Sequence, residues 1–360
     1  MNDDIKTGVV TLGAVALLAF GAWAVFFRSG LETEQIGFRG VAIEQPEFTV
    51  EVAEQKADNV APEEVYEIEP DDGASERAYE IYENVQVLGH LSEDNFNRIM
   101  AQITEWVSPE QGCAYCHGDE GEFAHDDIYA KVVARRMIQM TQHINAEWGD
   151  HVGGAGVNCY TCHRGQNVPS NLWFKDPATE NAGTKFIGEK FGQNTPVAAN
   201  AYSSTNVEPY SRSMLGDGGV RVIDDVAITR ERGASIQATE HTYSLMMNWS
   251  QALGVGCTYC HNSRAFSSWE QSPPTRVKAW HAQNMARALN VTYLEPLGPE
   301  YPENRLGPLG DAPKLNCATC HNGAPKPLLG ADMISLYPSL AKAGPADQQD
   351  PLTGPAAAGD

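Results

Sequence analysis

The chain has 360 residues, 42% of them hydrophobic, and carries a formal charge of −22 from 25 Lys and Arg against 47 Asp and Glu. That acidity argues against nucleic acid as a partner and favours a basic protein. The length suits one large domain or two modest ones.

Thr7 to Phe27 is a run of 21 residues without a charged side chain. As a helix rising about 1.5 Å per residue it would measure about 31 Å, enough to cross the hydrocarbon core of a bilayer. A cleaved signal peptide is the rival, since Ala22-Trp23-Ala24 has the small-x-small form of a cleavage site. The run is longer than the roughly 7–15 residues of a signal core, and it has no cysteine to carry a lipid. The expectation is a short cytoplasmic segment over 1–6 and an uncleaved anchor over 7–27.

Residues 28–77 lack a sustained hydrophobic period. Thr33 to Pro46 reads as an extended arm with turns at Gly37 and Gly40, and Glu51 to Arg77 reads as an acidic, solvated linker. From Ala78 the pattern becomes helical. Ser92 is a candidate cap, and Phe96, Ile99, Met100, Ile103 and Trp106 recur at helical spacing. That helix ends at Ser108-Pro109, just before Cys113-Ala-Tyr-Cys116-His117. An acidic run follows, with Asp119, Glu120, Glu122, Asp126 and Asp127. A second helix carries Met137 and Met140, a Gly-rich break carries His151, and Cys159-Tyr-Thr-Cys162-His163 comes next.

Residues 176–235 are rich in Gly, Asn, Ser and Thr and read as a connector, with a β-prone piece over Val220–Asp224. The pattern then repeats. Leu245-Met246 precedes Cys257-Thr-Tyr-Cys260-His261 much as Ile99-Met100 precedes Cys113. Ala279–Asn290 aligns with Ala134–Asn145, and Cys317-Ala-Thr-Cys320-His321 matches the second motif. Duplication of a two-motif unit is the economical explanation, with one half over 78–175 and the other over 236–335. Residues 336–360 end in a loose Ala-, Gly- and Pro-rich tail.

C-x-x-C-H is the attachment sequence of a c-type haem. Two thiols add to the haem vinyl groups, and the following histidine is held against one face of the iron. Four copies use all eight cysteines, leaving none for zinc cages or disulfides. Attachment of this kind takes place outside the bacterial cytoplasm, so the bulk of the chain is expected in the periplasm. Met sulfur as the sixth ligand raises a haem potential and a second histidine lowers it. Three motifs have a Met on a preceding helix: Met100, Met137 or Met140, and Met246 or Met247. The fourth has neither Met nor His just upstream. The alignment sets Ala282 opposite Met137, which makes His151 the candidate to cross over to the fourth motif. A rival pairing uses Met140 and Met285.

GFRGVA at 37–42, NVQVL at 84–88, ARRM at 134–137, CYTCHRG at 159–165 and CTYCHNSRAF at 257–266 resemble the tetrahaem cytochrome c subunit of purple bacterial photosynthetic reaction centres, over roughly residues 33–335. The resemblance implies a mainly α fold with little β, in which two two-haem halves are related by approximate twofold symmetry. It pairs Met100 with His117, Met137 with His163, Met246 with His261 and His151 with His321. It implies reaction-centre core subunits carrying the bacteriochlorophyll pair as partners, with the third haem in the sequence nearest that pair. The donor it implies is a soluble cytochrome c or high-potential iron–sulfur protein. No substrate is transformed. Well-known members carry a cleaved, lipidated cysteine, whereas here a transmembrane anchor is expected, placing the chain in the photosynthetic inner membrane. A membrane-anchored tetrahaem quinol dehydrogenase is the alternative. The Met-bearing helices argue against it, because such enzymes rely on histidine sixth ligands.

Overall fold

The computed structural model describes residues 3–26, 30–35, 44–64, 66–71, 73–119, 123–176, 208–220, 222 and 236–344. The turns expected at Gly37 and Gly40, most of the connector, Glu120, Glu122 and the part of the expected tail after residue 344 lie outside them, whereas its start, residues 336–344, is packed, with Tyr337 and Leu340 buried in an apolar cluster.

The first helix, α1, spans Asp3–Phe26. Where its side chains are described, apolar ones face outward, with Leu17 and Leu18 each 74% exposed. Among the described residues no helix is long and apolar enough to cross a membrane, so the anchor expected over 7–27 is not shown there. A two-stranded antiparallel hairpin follows, β1 (Leu31–Gln35) and β2 (Glu44–Phe48), with Leu31 opposite Phe48 and Gln35 opposite Glu44.

The stretch expected to be a solvated linker is instead docked along the body. It begins as a helix, α2 (Thr49–Asp58). β2 lies beside residues 257–259 of the third motif, and Gln55 Nε2 donates to Gly323 O after the fourth. Arg164, after the second motif, donates to Asp58 O and to Asn59 Oδ1, each at 3.2 Å. Arg98 Nε reaches Tyr66 O at 3.1 Å and Asn95 Nδ2 reaches Glu69 O at 2.8 Å. The acidic side chains stay mostly in water, as composition requires. Three of the strap's carbonyls, those of Asp58, Tyr66 and Glu69, nevertheless accept from Arg164, Arg98 and Asn95 of the body.

The rest of the described chain is mainly helical. A single turn, α3 (Ala78–Ile81), precedes α4 (Glu93–Val107). α4 starts directly after Ser92 as expected, though the Ser92 hydroxyl pairs with the Asn95 amide at 3.1 Å and caps no backbone N–H. Next come α5 (Ala114–His117), α6 (Tyr129–Glu147), α7 (Gly149–Val152) and α8 (Cys159–His163). After the connector come α9 (Ile236–Leu253), α10 (Thr275–Leu289), α11 (Cys317–His321) and α12 (Pro338–Ala341). Two apolar clusters hold these together. One gathers Leu88, Ile99, Trp106, Ile138, Cys159 and Leu340. The other gathers Ile144, Val157, Trp173, Leu245, Leu289 and Leu315.

Stretches that align with each other in the sequence make matching hydrogen bonds. Asn145 and Val157 exchange a pair at 2.9 and 2.8 Å, and Asn290 and Leu315 exchange one at 3.0 and 2.9 Å. Gly165 N donates to Trp106 O and Gly323 N to Ala252 O, both at 2.9 Å. Each of these glycines follows a left-handed residue, Arg164 at φ 53° and Asn322 at φ 48°, which lets the chain turn off the motif helix and meet the long helix behind it.

Candidate haem sites

Within a helical turn, residues three apart fall on one face, so a C-x-x-C segment wound as a helix presents both thiols to the same side. α5, α8 and α11 supply that turn for the first, second and fourth motifs, and residues 257–259 form a tighter one for the third. Asn158 and Asn316 start the second and fourth. Their backbone N–H groups donate to Thr161 and Thr319 hydroxyls at 3.1 and 3.0 Å. This is the reciprocal capping arrangement with Thr in the third position. No two of the eight cysteines are joined in a disulfide. Burial pushes the Cys116, Cys260, Cys159 and Cys317 thiols up from their ordinary value. The second and fourth motifs meet, with Cys162 Sγ 2.6 Å from Cys320 Sγ.

The motif histidines share an orientation. Nδ1 lies 2.9 Å from a backbone carbonyl in three of them: His163 against Gln166, His261 against Phe266 and His321 against Ala324. A ring that donates through Nδ1 keeps its lone pair on Nε2, which is the tautomer a metal requires. His261 also stacks on Phe266, with ring centres 4.1 Å apart and planes 3° from parallel. His117 lies 4.9 Å from the Phe123 ring. Burial lowers the pKa of all four histidines and so favours neutral imidazole. None of these carbonyl partners is visible in the bare C-x-x-C-H pattern. The Asn-Cys-x-Thr-Cys-His form of the second and fourth motifs did carry a capping signal.

The other expected ligands fall on the elements around them. His151 sits in α7, which packs against α10. Its ring centre is 6.1 Å from that of His321, the planes inclined at 56°. Burial depresses its pKa to about 4, and its Nδ1 is buried with no hydrogen-bond partner. Met100 lies on α4 at the edge of one apolar cluster, and Met137, Met140, Met246 and Met285 edge the other. Met247 points outward, 48% exposed. Thr104 and Thr141 back-bond to the Met100 and Met137 carbonyls at 3.0 and 2.9 Å. Of the acidic run, Asp126 is held by Arg135 at 2.8 Å and Lys131 at 3.1 Å, whereas Asp119 and Asp127 are exposed.

Residues 28–341 match the family described as photosynthetic reaction centre cytochrome C subunit. The chain belongs to this family. Among its relatives named photosynthetic reaction center cytochrome c subunit, that of Rubrivivax gelatinosus is 43% identical over 94% of this chain and 90% of its own. The Roseobacter denitrificans protein is 44% identical over 94% and 95%, and that of Thermochromatium tepidum 42% over 91% and 79%. As a reaction-centre cytochrome c subunit, the chain is an electron carrier that associates with a photosynthetic reaction-centre core. Nothing in the match favours a quinol dehydrogenase.

Proposed function

We propose that each of the four motifs holds one haem c through its two cysteines and its histidine, with Met100, Met137, Met246 and His151 as the opposite ligands of the first, second, third and fourth. The geometry of His151 and His321 carries this reading. A histidine nitrogen sits about 2 Å from a metal and about 1 Å from its own ring centre, so two histidines on opposite faces of one ion have centres roughly 6 Å apart. The 6.1 Å separation fits that value, and His151 has no other described use for its buried ring. Haem iron, when bound, supplies a one-electron couple at about the potential its axial ligands set. The chain's own part is to hold both imidazoles neutral and oriented and to keep water from them by burial.

The strap supports an orientation. If α1 is the single-pass anchor in the photosynthetic inner membrane, the hairpin that follows it lies against the third motif, while the far end of the strap reaches α4 beside the first. The haem-bearing body then stands in the periplasm with its third motif towards the core's bacteriochlorophyll pair. The first motif is turned outward to a soluble cytochrome c or high-potential iron–sulfur donor. His151→Met tests the ligand set: one low potential should rise, with the other three little changed. Loss of the haem held by Cys159 and Cys162 as the sole effect would reject the crossover.

A further inference from the structure

Arg164 follows the second motif, and its guanidinium joins three parts of the chain. Nε donates to Thr161 O at 3.2 Å in its own motif. Nη2 donates to Cys320 O at 3.4 Å in the fourth motif and to Asn59 Oδ1 at 3.2 Å in the strap, and Nη1 to Asp58 O at 3.2 Å. All four acceptors are neutral, and among the described residues no carboxylate pairs with this cation. Arg135 by contrast pairs with Asp126 at 2.8 Å and Arg98 with Glu64 at 3.5 Å, whereas Arg276 beside the third motif also donates to neutral acceptors, Phe266 O, Ser268 O and Ser272 Oγ. Arg164 is only partly exposed, and it lies over the seam where Cys162 and Cys320 are 2.6 Å apart.

A guanidinium keeps its charge at any pH a protein survives, and a partly buried charge is screened less than one in open solvent. Oxidising an iron adds one positive charge, which a fixed cation nearby opposes. We propose that Arg164 is a positioning charge that sets the redox balance at the seam, favouring the reduced state of the haem on either side while tying the strap across both motifs. This rests on the reading that the second and fourth motifs each carry a haem. The expected effect is on the order of tenfold in the oxidised-to-reduced ratio at each, or 59 mV for a one-electron couple.

The test is a spectroelectrochemical titration of the purified reaction-centre complex with a separate haem count. Arg164→Gln removes the charge. Asn59→Asp sets a carboxylate beside Nη2 and neutralises the charge in place. Arg164→Lys keeps the charge but loses the fork of hydrogen bonds. Arg164→Gln and Asn59→Asp should each lower the same two of four potentials, and Arg164→Lys should leave both near their original values. If Arg164→Gln fails to accumulate, the other two variants decide. Potentials unmoved by Asn59→Asp, or shifted as far by Arg164→Lys as by loss of charge, would overturn the electrostatic role. Fewer than four haems in the unmodified protein would instead remove the reading of the motifs on which the proposal stands.

Discussion

Met246 and Met247 are neighbours, and their spacing to Cys257 cannot separate them. The repeated hydrogen bond favours Met246 in the proposed ligand set. Gly165 reaches Trp106 as Gly323 reaches Ala252, and the shift that carries Trp106 onto Ala252 carries Met100 onto Met246. Met246 is also tucked against the apolar cluster whereas Met247 is 48% exposed. Replacing Met246 by His should therefore lower the potential of the haem held by Cys257 and Cys260, because imidazole favours ferric iron more than a thioether does. The same change at Met247 should leave the titration unaltered, and the reverse result would exchange their roles. The motifs themselves were plain in the sequence, since C-x-x-C-H needs only consecutive residues. The carbonyls that orient His163, His261 and His321 were not, because any residue type offers a carbonyl and only the fold says which one arrives.

At the scale of elements, Asn290 ties the end of α10 to the segment just before the fourth motif. It is fully buried, bonds both ways with Leu315 at 3.0 and 2.9 Å, and donates to Met214 O at 3.3 Å. Asn290→Ala leaves the Leu315 N–H unpaired, while the Leu315 carbonyl keeps the Trp173 indole N–H at 2.8 Å. By the usual cost of an unpaired buried group, the loss should be about 1–3 kcal/mol in denaturant unfolding. A change below about 0.5 kcal/mol would mean that the fourth motif is not fixed through this residue. The alignment of Ala134–Asn145 with Ala279–Asn290 was legible in sequence, and the structure gives both asparagines the same task. The strap was not legible. Its helix α2 has no apolar face to bury, and what docks it are amides and backbone carbonyls, which leave no hydrophobic period to read. The loop after the first motif has a pH dependence of known sign. The hydrogen bond from Arg135, with those from Asn84 and Lys131, holds the Asp126 carboxyl below its ordinary range. A depressed carboxylate pKa stabilises the fold above the unfolded value, near 4, and the effect is lost as pH falls below it. Protection against hydrogen exchange in residues 123–131, relative to the intrinsic rate at each pH, should therefore fall as the solution is acidified below about pH 4. Asp126→Asn should remove that step, and an unchanged acid profile would count against the pairing.

Across the whole molecule, the charge of −22 and the exposed Asp119 and Asp127 beside the first motif suit a basic soluble donor. Asp126 is already committed to Lys131 and Arg135, so the donor's counterpart is a smaller set than the acidic run suggests. Screening shortens to about 10 Å at 0.1 M salt, so the bimolecular rate with a basic cytochrome should fall as salt is added. Reversing Asp119 and Asp127 together should flatten that dependence. A rate insensitive to salt would point to an uncharged docking patch, as suits a high-potential iron–sulfur donor. The central claim is that this chain returns electrons to the photo-oxidised pigment pair, and flash spectroscopy on native membranes tests it most directly. After a single flash at a potential where the high-potential haems are reduced, recovery of the pair should coincide in time with oxidation of a c-type haem, and Met246→His should slow both together. Recovery of the pair at an unchanged rate in membranes lacking this chain, with no haem oxidation at the matching time, would contradict the account.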